Sequence, residues 1–79
     1  MMAPEDVQEL LNQAFPGAEV TVEDLTGTQD HFFVTVMSSD FKGKGLIEQH
    51  RMVNDALSSA MEDGRIHALK IKTFVLPGA

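Results

Sequence analysis

Apolar residues recur along the chain with two periods, three-to-four and two, and their alternation outlines the fold. Val7, Leu10, Leu11, Ala14 and Phe15 share one face of a helix. Pro4 fits its first turn, Glu5 and Asp6 complement its positive end, and Pro16-Gly17 ends it. From Ala18 to Leu25 the pattern changes to strict alternation, with Ala18, Val20 and Val22 set against Glu19, Thr21 and Glu23, as in a strand with one solvated face. Thr26 to Asp30 is a polar connection containing glycine, of a length suited to a hairpin. The second strand runs from His31 to Met37. Phe32, Val34 and Val36 lie on one face of it, and His31, Phe33, Thr35 and Met37 on the other. Both faces are apolar enough for a central strand, which leaves Phe33 and Met37 on a second face that needs an explanation.

Ser38 to Gly45 forms the next loop, with two glycines just before a helical period begins again. Leu46, Val53, Ala56, Leu57, Ala60 and Met61 mark one long helix from Gly45 to Asp63, with Leu46, Val53, Leu57 and Met61 as core. Gly64-Arg65 turns the chain into a third strand, His67 to Thr73, where Leu69 and Ile71 alternate with Ala68, Lys70 and Lys72; the tail runs out at Pro77-Gly78. The order is α-β-β-α-β. A right-handed crossover through the long helix makes strands two and three parallel, and strand one pairs with strand two as a hairpin. The expectation is an α+β fold, with a three-stranded mixed sheet and both helices packed on one face, in a single domain spanning residues 1–79.

Composition narrows the chemistry. A chain of 79 residues buries only about 60% of the surface it exposes when unfolded, which leaves no room for an enclosed active site with a lid. Cysteine is absent, so thiolate metal sites, thiol nucleophiles and disulfides within the chain are excluded. The N-terminus lacks the basic flank and apolar run of a secretory signal, and no stretch approaches a membrane span. That predicts a soluble protein without a membrane partner, cytoplasmic, or organellar after loss of a targeting segment. The net charge of −6 hides a division, because every lysine and arginine falls after residue 40, whereas residues 1–40 carry eight acidic side chains. The acidic half would repel a nucleic-acid backbone.

Parallel strands start at the same end of a sheet, so His31, His67 and the connection from Thr26 to Asp30 are expected to gather there, on strands about 4.8 Å apart. His31 and His67 differ in parity relative to the apolar face, which would set their rings on opposite faces. Each histidine has two readings. His67 is either a hydrogen-bonded histidine at a strand start or a metal ligand, and His31 is either an ordinary polar residue beside a hairpin or a second ligand. His50, beside Arg51 in the helix, belongs by default to a solvated face. Asp30 could add an oxygen ligand. Two histidines without cysteine do not complete a tetrahedral site, so any metal would take its remaining ligands from another molecule. The glycines of FKGKGL match neither a Walker loop nor a dinucleotide fingerprint. Lys42, Lys44, Arg51, Lys70 and Lys72 read as solvated charge ahead of a nucleic-acid surface. The serines at 38, 39, 58 and 59 have no base-and-orienter partners, so the chain is not expected to be an enzyme.

Several segments, in this order, carry a resemblance: Val22-Glu23-Asp24, Asp30-His31-Phe32, Ser38 to Lys44 (SSDFKGK), Gln49 to Asn54 (QHRMVN), and Arg65 to Leu69 (RIHAL) with Ile71-Lys72. From Val7 to about Thr73 the sequence resembles BolA-like proteins. The resemblance implies a class II KH-like fold without the GxxG nucleic-acid loop of that domain. It also implies a partner, a monothiol glutaredoxin carrying a CGFS motif, and a bridging 2Fe-2S cluster. The glutaredoxin cysteine and glutathione would supply two thiolates, and His67, the histidine of the IHAL segment, would be a ligand on this side. Many relatives place a cysteine or histidine in a longer loop between strands one and two. The loop here, Leu25 to Asp30, holds neither, and His31 is the nearest candidate for second ligand. Thr73-Phe74-Val75-Leu76 replaces the usual threonine-proline and tryptophan ending. The function so implied is that of an adaptor in iron-sulfur trafficking or iron regulation. A separate reading is a glutaredoxin partner that binds no cluster and docks through its basic helix face, with Lys44, His50 and Arg51 as the partner-binding residues. A homodimer is a second assembly to consider, and a nucleic-acid-binding transcriptional regulator is the alternative function.

Overall fold

The computed structural model describes residues 2–77. Helix α1 spans Pro4–Ala14, with Pro4 at its first position and Glu5 and Asp6 in its first turn, and it buries Val7 and Leu11. Gly17, at φ 81°, turns the chain out of the helix in a backbone conformation that side-chain-bearing residues rarely adopt. Strand β1 (Glu19–Asp24) pairs antiparallel with β2 (His31–Ser38), and β2 pairs parallel with β3 (Ala68–Val75), giving the order β1-β2-β3. This is the mixed sheet that the alternation and the crossover rule predict, with β2 at its centre. The tail was expected to run out at Pro77-Gly78; Gly78 lies outside the described residues.

Phe32, Val34 and Val36, the inward residues of β2, are fully buried, and they join Val7, Leu11 and Phe15 of the α1 region with Val53, Leu57, Ala60 and Ile66 from the crossover in one core. Phe41, at the end of a short 3-10 turn (Ser39–Phe41), is also fully buried, its ring 5.3 Å from that of Phe15. The outward residues of β2 are half-buried and carry no helix. Phe33 is explained there by Lys70, whose ammonium lies 5.6 Å from the ring centroid. Met37 sits in register between Glu19 of β1 and Phe74 of β3.

The crossover departs from the expected single helix. It consists of α2 (Leu46–Ala56) and α3 (Ser58–Glu62), separated at Leu57, which takes φ −109° and ψ 9°. The intervening residues explain the break. Asn54, Asp55, Ser58 and Ser59 are weak helix formers, and two of them engage the backbone: Asn54 Nδ2 donates to the His50 carbonyl (3.1 Å) and Ser58 Oγ to that of Asp55 (3.0 Å). Gly64, at φ 83°, then closes the turn into β3.

The apolar stripe also shifts. Leu46, expected in the core, is 62% exposed, whereas Gln49 is buried in the following turn of α2. Both ends of the Gln49 amide are satisfied: Nε2 donates to the Lys44 carbonyl (2.8 Å) and Oε1 accepts from the Thr73 hydroxyl (2.6 Å). One polar side chain thus ties the loop, α2 and β3 together, and a buried amide is tolerated because it is fully paired.

Truncation separates the two leucines. Leu57→Ala removes a fully buried side chain and is expected to destabilise the fold by about 2–5 kcal/mol, while Leu46→Ala stays within about 0.5 kcal/mol of the parent. Urea unfolding followed by circular dichroism measures both; equal losses would contradict the assigned packing.

Candidate functional site

The parallel register opens with His31 opposite Ala68, which places Asp30 beside His67 just ahead of the two strands. The Asp30 carbonyl accepts two backbone N–H groups, from His67 (2.8 Å) and Ala68 (3.2 Å). His67 therefore precedes β3, where the sequence pattern had made it the first strand residue. Because it lies outside the pleat, strand parity does not govern its ring. The rings of His31 and His67, expected on opposite faces, come together with centroids 6.2 Å apart in an edge-to-face arrangement.

The Asp30 carboxylate lies between them. Its Oδ1 is 2.8 Å from His31 Nδ1, its Oδ2 is 3.1 Å from His67 Nδ1, and the Thr28 hydroxyl donates to Oδ1. Asp30 is thus an anchor for both imidazoles, with its oxygens engaged, and not the free oxygen ligand considered from sequence. The preceding loop is held by a second carboxylate: Asp24 accepts the N–H groups of Thr26 (3.3 Å), Gly27 (3.0 Å) and Gln29 (3.1 Å). Gln29 takes φ 60°, and its carbonyl accepts the Met2 N–H (3.0 Å), so the N-terminal segment helps to fix this loop. Thr28 was absent from the sequence-derived site. Its only sequence signal is a hydroxyl two residues before an aspartate.

Hydrogen bonds from the Thr28 hydroxyl and from His31, with the positive charge of both histidines, lower the Asp30 pKa from 3.8 to about 2. At neutral pH this carboxylate is ionised and accepts only, so His31 Nδ1 carries the proton it donates, while His67 Nδ1 stands at ion-pair distance from Oδ2. The Nε2 atom of a neutral ring is then the one with a free lone pair. A carboxylate behind a histidine fixes tautomer and orientation in this way in metal sites generally. The Asp30 side chain is 18% exposed, against 40% for His31 and 62% for His67, so the anchor is sheltered and the two rings face outward. Among the described residues, no group of three or more His, Cys, Asp and Glu side chains is arranged to hold a metal ion. At this end of the sheet the described residues bring together two imidazoles on one carboxylate.

The other sequence candidates lie elsewhere. Lys44 is exposed in the loop that follows the far end of β2, and the eight residues of that strand rise roughly 23 Å from the histidine pair. Arg51 is exposed on α2, 3.7 Å from the Glu48 carboxylate, and His50 is half-buried beside it. The structure groups His31 and His67 with Asp30 and Thr28, and it does not bring Lys44, His50 or Arg51 to them.

The acid titration of Asp30 checks this geometry. Its folded pKa is lowered, so its contribution to stability is complete above 3.8 and is lost as pH falls through about 2. Carboxyl-carbon NMR is expected to give a midpoint near the lower value, moving up toward 3.8 in Thr28→Val. A midpoint that ignores this substitution would remove the hydroxyl from the network.

Comparison with known proteins agrees with this arrangement of elements. The profile of the BolA family, described as BolA-like protein, matches residues 8–76. Protein BOLA2 of Arabidopsis thaliana is 40% identical over 78 residues, covering 98% of this chain and 82% of its own. The solved BolA domain of SufE1 from Arabidopsis thaliana superposes with a TM-score of 0.83 at 26% identity, covering 95% of each chain. The DNA-binding transcriptional regulator BolA of Vibrio cholerae is 42% identical over 48 residues, which is 61% of this chain and 44% of that protein. The α+β fold and these similarities lead to one conclusion: the chain belongs to the BolA-like protein family.

Proposed function

We propose that this protein is an adaptor that binds a monothiol glutaredoxin and shares a 2Fe-2S cluster with it as cargo, in iron-sulfur trafficking or iron regulation. The observation that carries this reading is the pair of imidazoles held through Nδ1 on one sheltered carboxylate. The donor set fits half of a mixed site. Two histidines replace two cysteines on one iron in Rieske-type clusters, and the other iron keeps its thiolates. This chain has no cysteine, so both thiolates would come from outside, one from the glutaredoxin and one from glutathione.

Each residue then has a distinct task. His67, the more exposed ring, presents Nε2 to the incoming cluster. His31 stands beside it as second ligand and fills the role of the cysteine or histidine missing from the short loop before β2. Asp30 holds the proton on His31 Nδ1 and draws the His67 ring to its other oxygen at 3.1 Å, with Thr28 steadying the carboxylate. Nothing in this division of labour requires catalysis by the chain itself. Lys44, His50 and Arg51 remain candidates for docking contacts away from the ligands.

The Vibrio cholerae regulator supports a second reading, nucleic-acid binding. The net charge of −6 and the acidic β1 edge weigh against it. A duplex titration at two salt concentrations is expected to show no binding; binding that weakens steeply as salt rises would favour the regulator instead.

The adaptor reading is tested by anaerobic reconstitution with a monothiol glutaredoxin and glutathione, followed by visible circular dichroism. The native pair is expected to hold a cluster, and His67→Ala and His31→Ala to lose its signature. Asp30→Asn, whose amide can donate to a ring nitrogen, is expected to weaken cluster retention by about 10–100-fold while the heterodimer persists. Unchanged spectra in all three variants would overturn the assignment.

A further inference from the structure

The face of the sheet opposite the helices is ordered by charge, and the strand register fixes that order row by row. Glu23, Phe33 and Lys70 form one row across β1, β2 and β3; Thr21, Thr35 and Lys72 form the next; Glu19, Met37 and Phe74 the third. The β1 side is acidic, the β3 side is basic, and an aromatic and a methionine lie between them. Lys70 is held over the Phe33 ring (5.6 Å) and Lys72 near that of Phe74 (5.4 Å), so both ammonium groups are kept close to the sheet. Glu19, Glu23, Lys70 and Lys72 are exposed, and no ion pair engages them among the described residues.

We infer that this face docks a second copy of the same chain, through a two-fold axis that runs along the strands. Such an axis carries β1 of one copy over β3 of the other and preserves the row order. Each Glu23 then meets the Lys70 of the other copy, twice in the dimer, and the two Phe33 rings meet near the axis. A two-fold axis across the strands would set acidic edge on acidic edge and basic on basic, which like-charge repulsion disfavours. Aligned sheets pack rotated by about 30°, a displacement of a few Å at the flanking strands that long Glu and Lys side chains absorb.

The size of the face sets the strength of the contact. Three strands about 4.8 Å apart and about 25 Å long give a footprint on the order of 350 Å² per copy. A standard stable interface has about 800 Å² per partner, so this dimer is a reversible one that forms at high concentration and weakens with salt. It does not rest on the cluster-binding reading. It has a bearing on it, because the axis places the His31 side chains of both copies at the same end of the assembly.

Sedimentation equilibrium of the isolated protein tests the inference, from about 10 µM to about 1 mM, the span in which so small an interface dissociates. The native chain is expected to shift from monomer to dimer across that range. Glu23→Lys and Lys70→Glu each weaken association at least about fivefold, and the double variant Glu23→Lys with Lys70→Glu returns to within about twofold of native. A mass that stays monomeric, single variants that associate like the native chain, or a double variant that fails to recover would each overturn the proposal. A dilution series of NMR spectra needs no variant: shifts confined to the outward residues of the sheet, Glu19, Glu23, Phe33, Met37, Lys70 and Lys72 among them, support the face, and shifts confined to the helices overturn it.

Discussion

The carbonyl oxygen of Asp30 accepts two main-chain N–H groups from the far side of the crossover, and the molecule depends on that fork. It aligns β3 with β2, and the alignment in turn decides which residues of β3 face the helices and which face solvent. A slip of one residue would bury Lys70 and Lys72 and expose Leu69 and Ile71. The same residue then uses its side chain to gather His31 and His67. Main chain and carboxylate of Asp30 therefore serve one purpose at two levels, first the register of the strands and then the orientation of two rings.

Much of this was legible in the sequence because it follows from periodicity. The alternation of Phe32, Val34 and Val36 defines a strand buried on one face, the apolar content of its other parity makes it central, and the handedness of crossovers makes its pairing with β3 parallel. That reasoning brings both histidines to one end of the sheet. It fails where local chemistry overrides the period. Leu57 breaks the long helix because Asn54 and Ser58 bond to backbone carbonyls. Gln49 enters the core because two partners satisfy its amide, which a helical wheel that counts it as polar cannot see. Strand parity misplaced the His67 ring because the residue stands one position ahead of the pleat. Asp30 looked like one carboxylate among many, and only the register shows that both its oxygens face imidazoles.

The charge division seen along the chain becomes a division in space for a topological reason. The first half of the sequence contributes β1 and the second half β3, and β2 lies between them, so acidic and basic residues are held on opposite sides of one sheet. The clustering of every lysine and arginine after residue 40 becomes, for Lys70 and Lys72 in the folded molecule, one pole of a surface. The remaining basic residues, Lys44 and Arg51 among them, sit with the crossover at a distance from that sheet face.

His31 and His67 are brought together by strands that lie on either side of the crossover, and no local segment holds both. The unfolded chain therefore has no preformed chelate: its histidines are independent, its aspartate is solvated, and bringing the strands together carries the entropy of closing the intervening loop. Whatever ligand the pair takes is a ligand of the finished fold alone. On the proposed cluster-sharing function, occupancy of the pair would stabilise the native state by mass action, because only the folded chain presents both rings.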